Sequence, residues 1–149
     1  MKRAITICLF IVTTFTLTSL AKSELPLNDY PPIQSFLEKF TKVMYGGDLM
    51  VISQKVSSQS FVYKTDWKGI QTEETYSEIN WDHFELYTKI VDEQYVSCEF
   101  RFSKDITYNY IDDEQIEESN EVNSFTCFIL LEDKEEFLKI VRDWKNTRH

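Results

Sequence analysis

Glycine is nearly absent from this chain, which has 3 in 149 residues, alongside 3 prolines, 3 cysteines and 2 histidines. Two of the glycines, Gly46 and Gly47, sit together at one joint, so no glycine-rich loop is left to cradle a phosphate. One histidine is the terminal His149, which leaves His83 as the sole internal imidazole and weakens histidine-based chemistry. Cys98 and Cys127 have no CxxC spacing and give no zinc signal. The acidic run 112–121 lacks the turn-forming glycine and ligand spacing of a calcium loop, so a solvated hairpin end is expected there. No Asn-x-Ser/Thr sequon occurs, and no internal repeat, low-complexity tract or interdomain linker interrupts the chain.

Positive charge is also scarce. Lys and Arg number 16 against 25 Asp and Glu, a net charge of −9 that repels phosphate backbones and excludes nucleic acid as a partner. The acidity is interspersed with 11 Phe, 8 Tyr and 3 Trp, a composition that supports a packed core and argues against disorder.

Residues 1–21 read as a signal peptide. Lys2 and Arg3 form a basic start, Ala4 to Leu20 carries no charge, and Ser19-Leu20-Ala21 places small residues where signal peptidase reads. An uncleaved anchor is the competing reading, but the stretch is short for a membrane span. The expectation is a secreted protein with no membrane association after cleavage. Residues 22–32 form a short lead-in, 33–145 one folded domain and 146–149 a tail.

Within the domain, Asp29, Pro31 and Pro32 suit the opening of a helix that Gly46-Gly47 would stop. Ile33, Phe36, Leu37, Phe40, Val43 and Met44 recur at helical steps between them. Asp48 can cap a second short helix carrying Leu49, Ile52 and Val56. A strand is expected from Phe61 to Trp67, then a third helix from Thr72 to Trp81 with Tyr76 and Ile79 on one side. Four β runs follow at 83–91, 95–111, 114–131 and 136–144, with turns at 111–114 and 131–136.

A two-residue loop at Asp112-Asp113 sets Cys98 opposite Cys127. A loop at Asp133-Lys134 would set Ile140 beside Cys127 and Leu138 beside Ile129. One face then holds Val96, Cys98, Phe100, Phe102, Phe125, Cys127 and Ile129, and the other carries Ser97, Glu99, Arg101 and Thr126. As directly opposed core neighbours in an oxidising compartment, Cys98 and Cys127 are a disulfide candidate, a free pair being the alternative.

The order α-α-β-α-β-β-β-β, carried by "IQSFLEKFTKVMYGGDLMVISQKVSSQSFVY" (33–63) and "EFLKIVRDWK" (136–145), resembles the nuclear transport factor 2-like superfamily, the cystatin-like cone that includes ketosteroid isomerase. Among its subgroups the chain is most similar to small secreted nematode-type members. The resemblance implies an α+β fold, with N-terminal helices packed on a curved antiparallel sheet, a conical pocket and dimerisation through the sheet's outer face. It places Tyr63, Thr88, Phe102, Arg142 and Trp144 at the pocket. It makes Tyr87, Tyr95, Phe128, Leu130, Phe137 and Val141 the apolar outer face of a homodimer.

No catalytic set of that superfamily maps onto this chain residue by residue. Asp82-His83 invites an acid/base reading, but adjacent strand residues point to opposite faces. "QKVSS" (54–58) partly matches the Q-x-V-x-G loop of cystatins, with Ser58 where that loop has glycine and with the stretch in the second expected helix. The functional expectation is a non-catalytic secreted domain, without cofactor or metal, that binds a small hydrophobic ligand or a protein partner. The alternative is a small isomerase, dehydratase or hydrolase that uses the cone as its active site.

Overall fold

A computed structural model describes residues 31–41, 44–45, 48–91, 93–113 and 117–148. The signal segment, Gly46-Gly47 and His149 lie outside the described residues. The chain is α+β: a short helix α1 (Gln34–Lys39) precedes seven strands, β1 (Met44–Tyr45), β2 (Leu49–Val56), β3 (Ser60–Trp67), β4 (Ile70–Ser77), β5 (Phe84–Ile90), β6 (Tyr95–Asp112) and β7 (Glu117–Leu130). A 3₁₀ turn, Leu131–Asp133, leads into the C-terminal helix α2 (Lys134–Asn146). All strands pair antiparallel in one sheet of order β1-β2-β3-β4-β6-β5, with β7 on the other side of β6. The sheet is curled, which is compatible with a cone, but the helix order differs from the expected one, with one helix before the sheet and one after it.

The first helix is shorter than expected, ending at Lys39 with Met44 in β1, and three further elements are corrected. The second helix is β2. Its buried residues are Val51, Gln54 and Val56, and a bulge between Val51 and Ser53 shifts the strand's phase, so a period of two imitates a helical spacing. The third helix is β4, joined to β3 by the two-residue turn Lys68-Gly69. Both turn residues have positive φ, 53° and 91°, as a type I′ hairpin requires, and glycine meets that requirement at the second position. The last strand is α2, which buries Phe137, Val141 and Trp144 at steps of four and three. Glu135 and Glu136 in its first turn and Lys145 in its last complement the helix dipole. With 136–144 helical, the expected pairing of Ile140 with Cys127 and of Leu138 with Ile129 does not form.

The strands at 61–67, 83–91 and 95–111 appear close to their expected bounds. Cys98 is opposite Cys127, although two departures cancel to put it there. Near the hairpin tip the register runs from Ile111↔Glu117 to Ile106↔Val122, beyond the expected two-residue loop. A bulge between Arg101 and Ile106 then lets β6 gain residues on β7, and Arg101↔Ser124 to Tyr95↔Leu130 follow the expected register.

Aromatic rings fill the interior beneath α2. Trp81, 2% exposed, has Phe84, Phe100, Phe102, Phe125 and Trp144 within 6.0 Å, four of them edge-to-face. Phe137 reaches Phe36 of α1 at 5.7 Å, and the Lys39–Asp133 ion pair at 2.7 Å ties α1 to the turn before α2.

Side-chain amides close the curl. Gln54, 1% exposed, donates from Nε2 to the Phe128 carbonyl at 2.8 Å and accepts from the Phe128 N–H at 2.7 Å, so it pairs with β7 as a peptide group would. Gln34 of α1 repeats the device on β2, bonding the Gln54 carbonyl at 3.1 Å and the Val56 N–H at 2.8 Å. The "QKVSS" stretch is therefore the end of β2 and its turn into β3, not helix. Its Gln54 is locked in the interior, and the Ser57 hydroxyl accepts from Gln59 and Ser60 N–H to shape the turn.

Candidate binding face

The same interior face continues past the aromatic cluster onto the far half of the sheet, where its chemistry changes. Cross-strand register aligns two rows over four strands: Tyr63–Glu74–Tyr110–Glu118 and Phe61–Tyr76–Tyr108–Asn120. A third row, Thr65–Thr72–Asp112, flanks them, with the two threonine hydroxyls 2.7 Å apart. None of these rows contains Lys or Arg.

Phe61 and Tyr63 are buried and form the floor. Glu74, Tyr76, Tyr108 and Tyr110 are half-buried above it. Rings run from Phe61 to Tyr76 at 6.0 Å and on to Tyr108 at 5.1 Å. Phe125 stacks on Phe61 at 4.3 Å and links this face to the core. The Tyr76 hydroxyl donates to Glu74 Oε2 at 2.7 Å. Burial first, and then that bond and the Glu74 charge, push the Tyr76 phenol well above its ordinary value. Burial, followed by the charge of Glu74, raises Tyr108 to about 12.

A cleft opens where β6 bulges. This cleft, of about 480 Å³, is lined by Asp82, His83, Phe84, Glu85, Arg101, Phe102, Ser103 and Lys145. Its charges are already engaged within the chain. Arg148 meets Asp82 at 2.8 Å, Arg101 meets Glu99 at 3.0 Å and lies over the Tyr87 ring, and Lys145 donates to the Phe84 carbonyl at 2.8 Å. The Tyr87 hydroxyl donates to Glu85. Among the described residues, no group of three or more His, Cys, Asp or Glu side chains could hold a metal ion.

The five positions placed at a pocket by resemblance do not converge on one cavity. Tyr63 belongs to the floor of the tyrosine face, while Phe102 lines the cleft. Thr88 lies opposite Cys98 on β5. Trp144 packs on Trp81 and Phe84 at 5.5 and 5.4 Å, and Arg142 is exposed on α2 because residues 136–144 are helical.

The outer-face set changes as well. Phe137 and Val141 are buried on α2, and Tyr95 and Phe128 are buried against Phe40, which follows α1. Tyr87 and Leu130 are what remains of it to face a partner. Cys98 and Cys127 are free thiols, fully buried and directly opposed, and burial pushes the Cys127 thiol up.

Glu74, Tyr76, Tyr108, Tyr110 and Glu118 were not marked by sequence reasoning. A signal exists in "EETY" and "YNY", where residues two apart share a strand face, but the first stretch was expected to be helical. Comparisons with protein-family models, with curated proteins and with solved structures found no match.

Proposed function

We propose that this is a non-catalytic binding domain that takes a small ligand on the tyrosine-lined half of its interior face. The observation that carries the reading is the division of that face. One half is filled by the rings around Trp81, and the other is left half-buried with its polar groups directed from three adjacent strands. A face that needed only to fold would bury apolar side chains throughout.

The enzymatic alternative, an isomerase, dehydratase or hydrolase, needs an enclosed pocket with convergent polar groups. The volume beneath α2 is occupied by the protein's own aromatics, and the groups around His83 are tied into ion pairs and backbone contacts. The curled sheet is compatible with a nuclear transport factor 2-like cone, although 49–56 is strand where a helix was expected and 136–144 is helix where a strand was expected. Secretion follows from residues 1–21 and is part of the proposal, which puts the ligand outside the cell.

Amide-resolved NMR with a small-molecule mixture tests the reading. Binding should move the resonances of Glu74, Tyr76, Tyr108 and Tyr110. Shifts confined to His83, Arg101 and Ser103 would refute it.

A further inference from the structure

Glu74 is a carboxylate on a half-buried, tyrosine-lined surface, and it has no cationic partner among the described residues. The Tyr76 hydroxyl occupies Oε2, and Oε1 has no donor among them. The nearest lysine in sequence, Lys68, pairs with Asp48, and Lys64 faces the other side of the sheet and pairs with Glu73. A second carboxylate, Glu118, lies in the same row two strands away. An anionic ligand would be repelled here. A neutral one would take water from Glu74 without replacing its counter-charge, which is costly for a carboxylate.

A cation answers both conditions, and the tyrosine rings add to its attraction, because a positive charge is drawn to an aromatic face. A metal ion is a poor match, since no group of three ligating side chains is available among the described residues. Phe61 and Tyr63 are covered by neighbouring rings, and the half-buried rings of Tyr76, Tyr108 and Tyr110 are what a hydrocarbon body can lie against.

We propose that the ligand is an organic cation, an alkyl amine or quaternary ammonium compound, with its charge at Glu74 and its apolar body along the half-buried rings of Tyr76, Tyr108 and Tyr110. This rests on the reading of that face as the binding site. Burial is the first cause of the raised Tyr108 phenol, and the Glu74 charge that adds to it would also attract a cation. The net charge of −9 steers such ligands toward the protein.

The test is an NMR titration of the full chain with decyltrimethylammonium, decanoate and decyl maltoside, each below its micelle concentration. The cation alone should shift Glu74, Tyr76, Tyr108 and Tyr110, with an affinity that falls as salt rises. Glu74→Gln keeps an acceptor for the Tyr76 hydroxyl and should weaken binding about tenfold, or ~1.4 kcal/mol. Tyr108→Leu should weaken it too, and it carries the test if the first variant loses its dispersed spectrum. Decanoate or decyl maltoside binding this face as tightly would overturn the cation while leaving the binding face in place. Unchanged affinity in Glu74→Gln would do the same. If no probe moves these resonances, the proposal and the binding face fall together.

Discussion

Replacing Gln54 by leucine removes the one side chain among the described residues that joins β2 to β7 by hydrogen bonds in the manner of a strand. Two bonds disappear, at 2.8 and 2.7 Å, both to buried backbone groups of Phe128. Losing each of these buried bonds costs about 1–3 kcal/mol. The leucine recovers about 1 kcal/mol, because an apolar side chain no longer carries a buried amide into the interior. The bond from Gln54 to the Leu37 carbonyl, at 3.5 Å, is too long to change the sum. The net loss is about 3 kcal/mol, a large share of the ~5–15 kcal/mol that holds a domain together. With a urea dependence of about 1.5 kcal/mol per molar, the unfolding midpoint should fall by about 2 M.

Gln54→Glu sharpens the test. A carboxylate there would set an oxygen against the Phe128 carbonyl, whereas a protonated carboxyl can donate to it as the amide does. The folded state therefore raises the glutamate above its ordinary value of about 4.3. The penalty is absent below that value and grows as pH rises through it, so this variant should match the parent near pH 4 and be much less stable at pH 7. Urea melts of both variants across this range decide the matter. A leucine variant within 0.5 kcal/mol of the parent, or a glutamate variant whose loss does not depend on pH, would refute the amide seam.

Other expectations can be checked with less effort. In an alkaline titration followed by tyrosine absorbance, Tyr76 and Tyr108 should ionise after the exposed tyrosines. Because the fold favours the neutral Tyr108, its contribution is intact below pH 10 and is lost as pH rises toward 12; Glu74→Gln should move both phenols down, and simple coincident titration would contradict the assignment. Gly69→Ala meets no atom within 4 Å, so its cost, about 1–2 kcal/mol in a thermal or urea melt, should come from the φ of +91° alone, with Gly69→Asn recovering part of it. In the folded, reduced protein neither Cys98 nor Cys127 should react with a thiol reagent. Rapid labelling of either cysteine in the native fold would contradict this burial.

The sequence was most informative where side chains alternate without interruption. Val96, Cys98, Phe100 and Phe102 against Ser97, Glu99 and Arg101 give one answer only, because a one-residue slip would turn the charged set inward. It misled where a local irregularity changed the period. The bulge at Ile52 made β2 look helical, and the alternation of Leu138 and Ile140 with charged residues hid the wider spacing of Phe137, Val141 and Trp144. Lys68-Gly69 was a hairpin signal, and recognising it would have turned 70–77 into a strand and brought Glu74 and Tyr76 onto one face. The rest of the tyrosine face depends on which strand lies beside β4. That neighbour is β6, 30 residues and more along the chain, and no local pattern encodes it.

The position of β6 also bears on how the chain reaches this state. It pairs with β4, β5 and β7, whereas β4 and β5 have no ladder with each other among the described residues. Two local units can form early, the meander β2-β3-β4 and the group β5-β6-β7, each made of neighbours in sequence. Their shared ladder is the run from Thr72↔Asp112 to Ser77↔Thr107. Closing it requires a long loop, the slow kind of step in β proteins. The ladder that limits the folding rate is therefore the one that brings Glu74 to Tyr110 and Tyr76 to Tyr108, and the tyrosine face is assembled last.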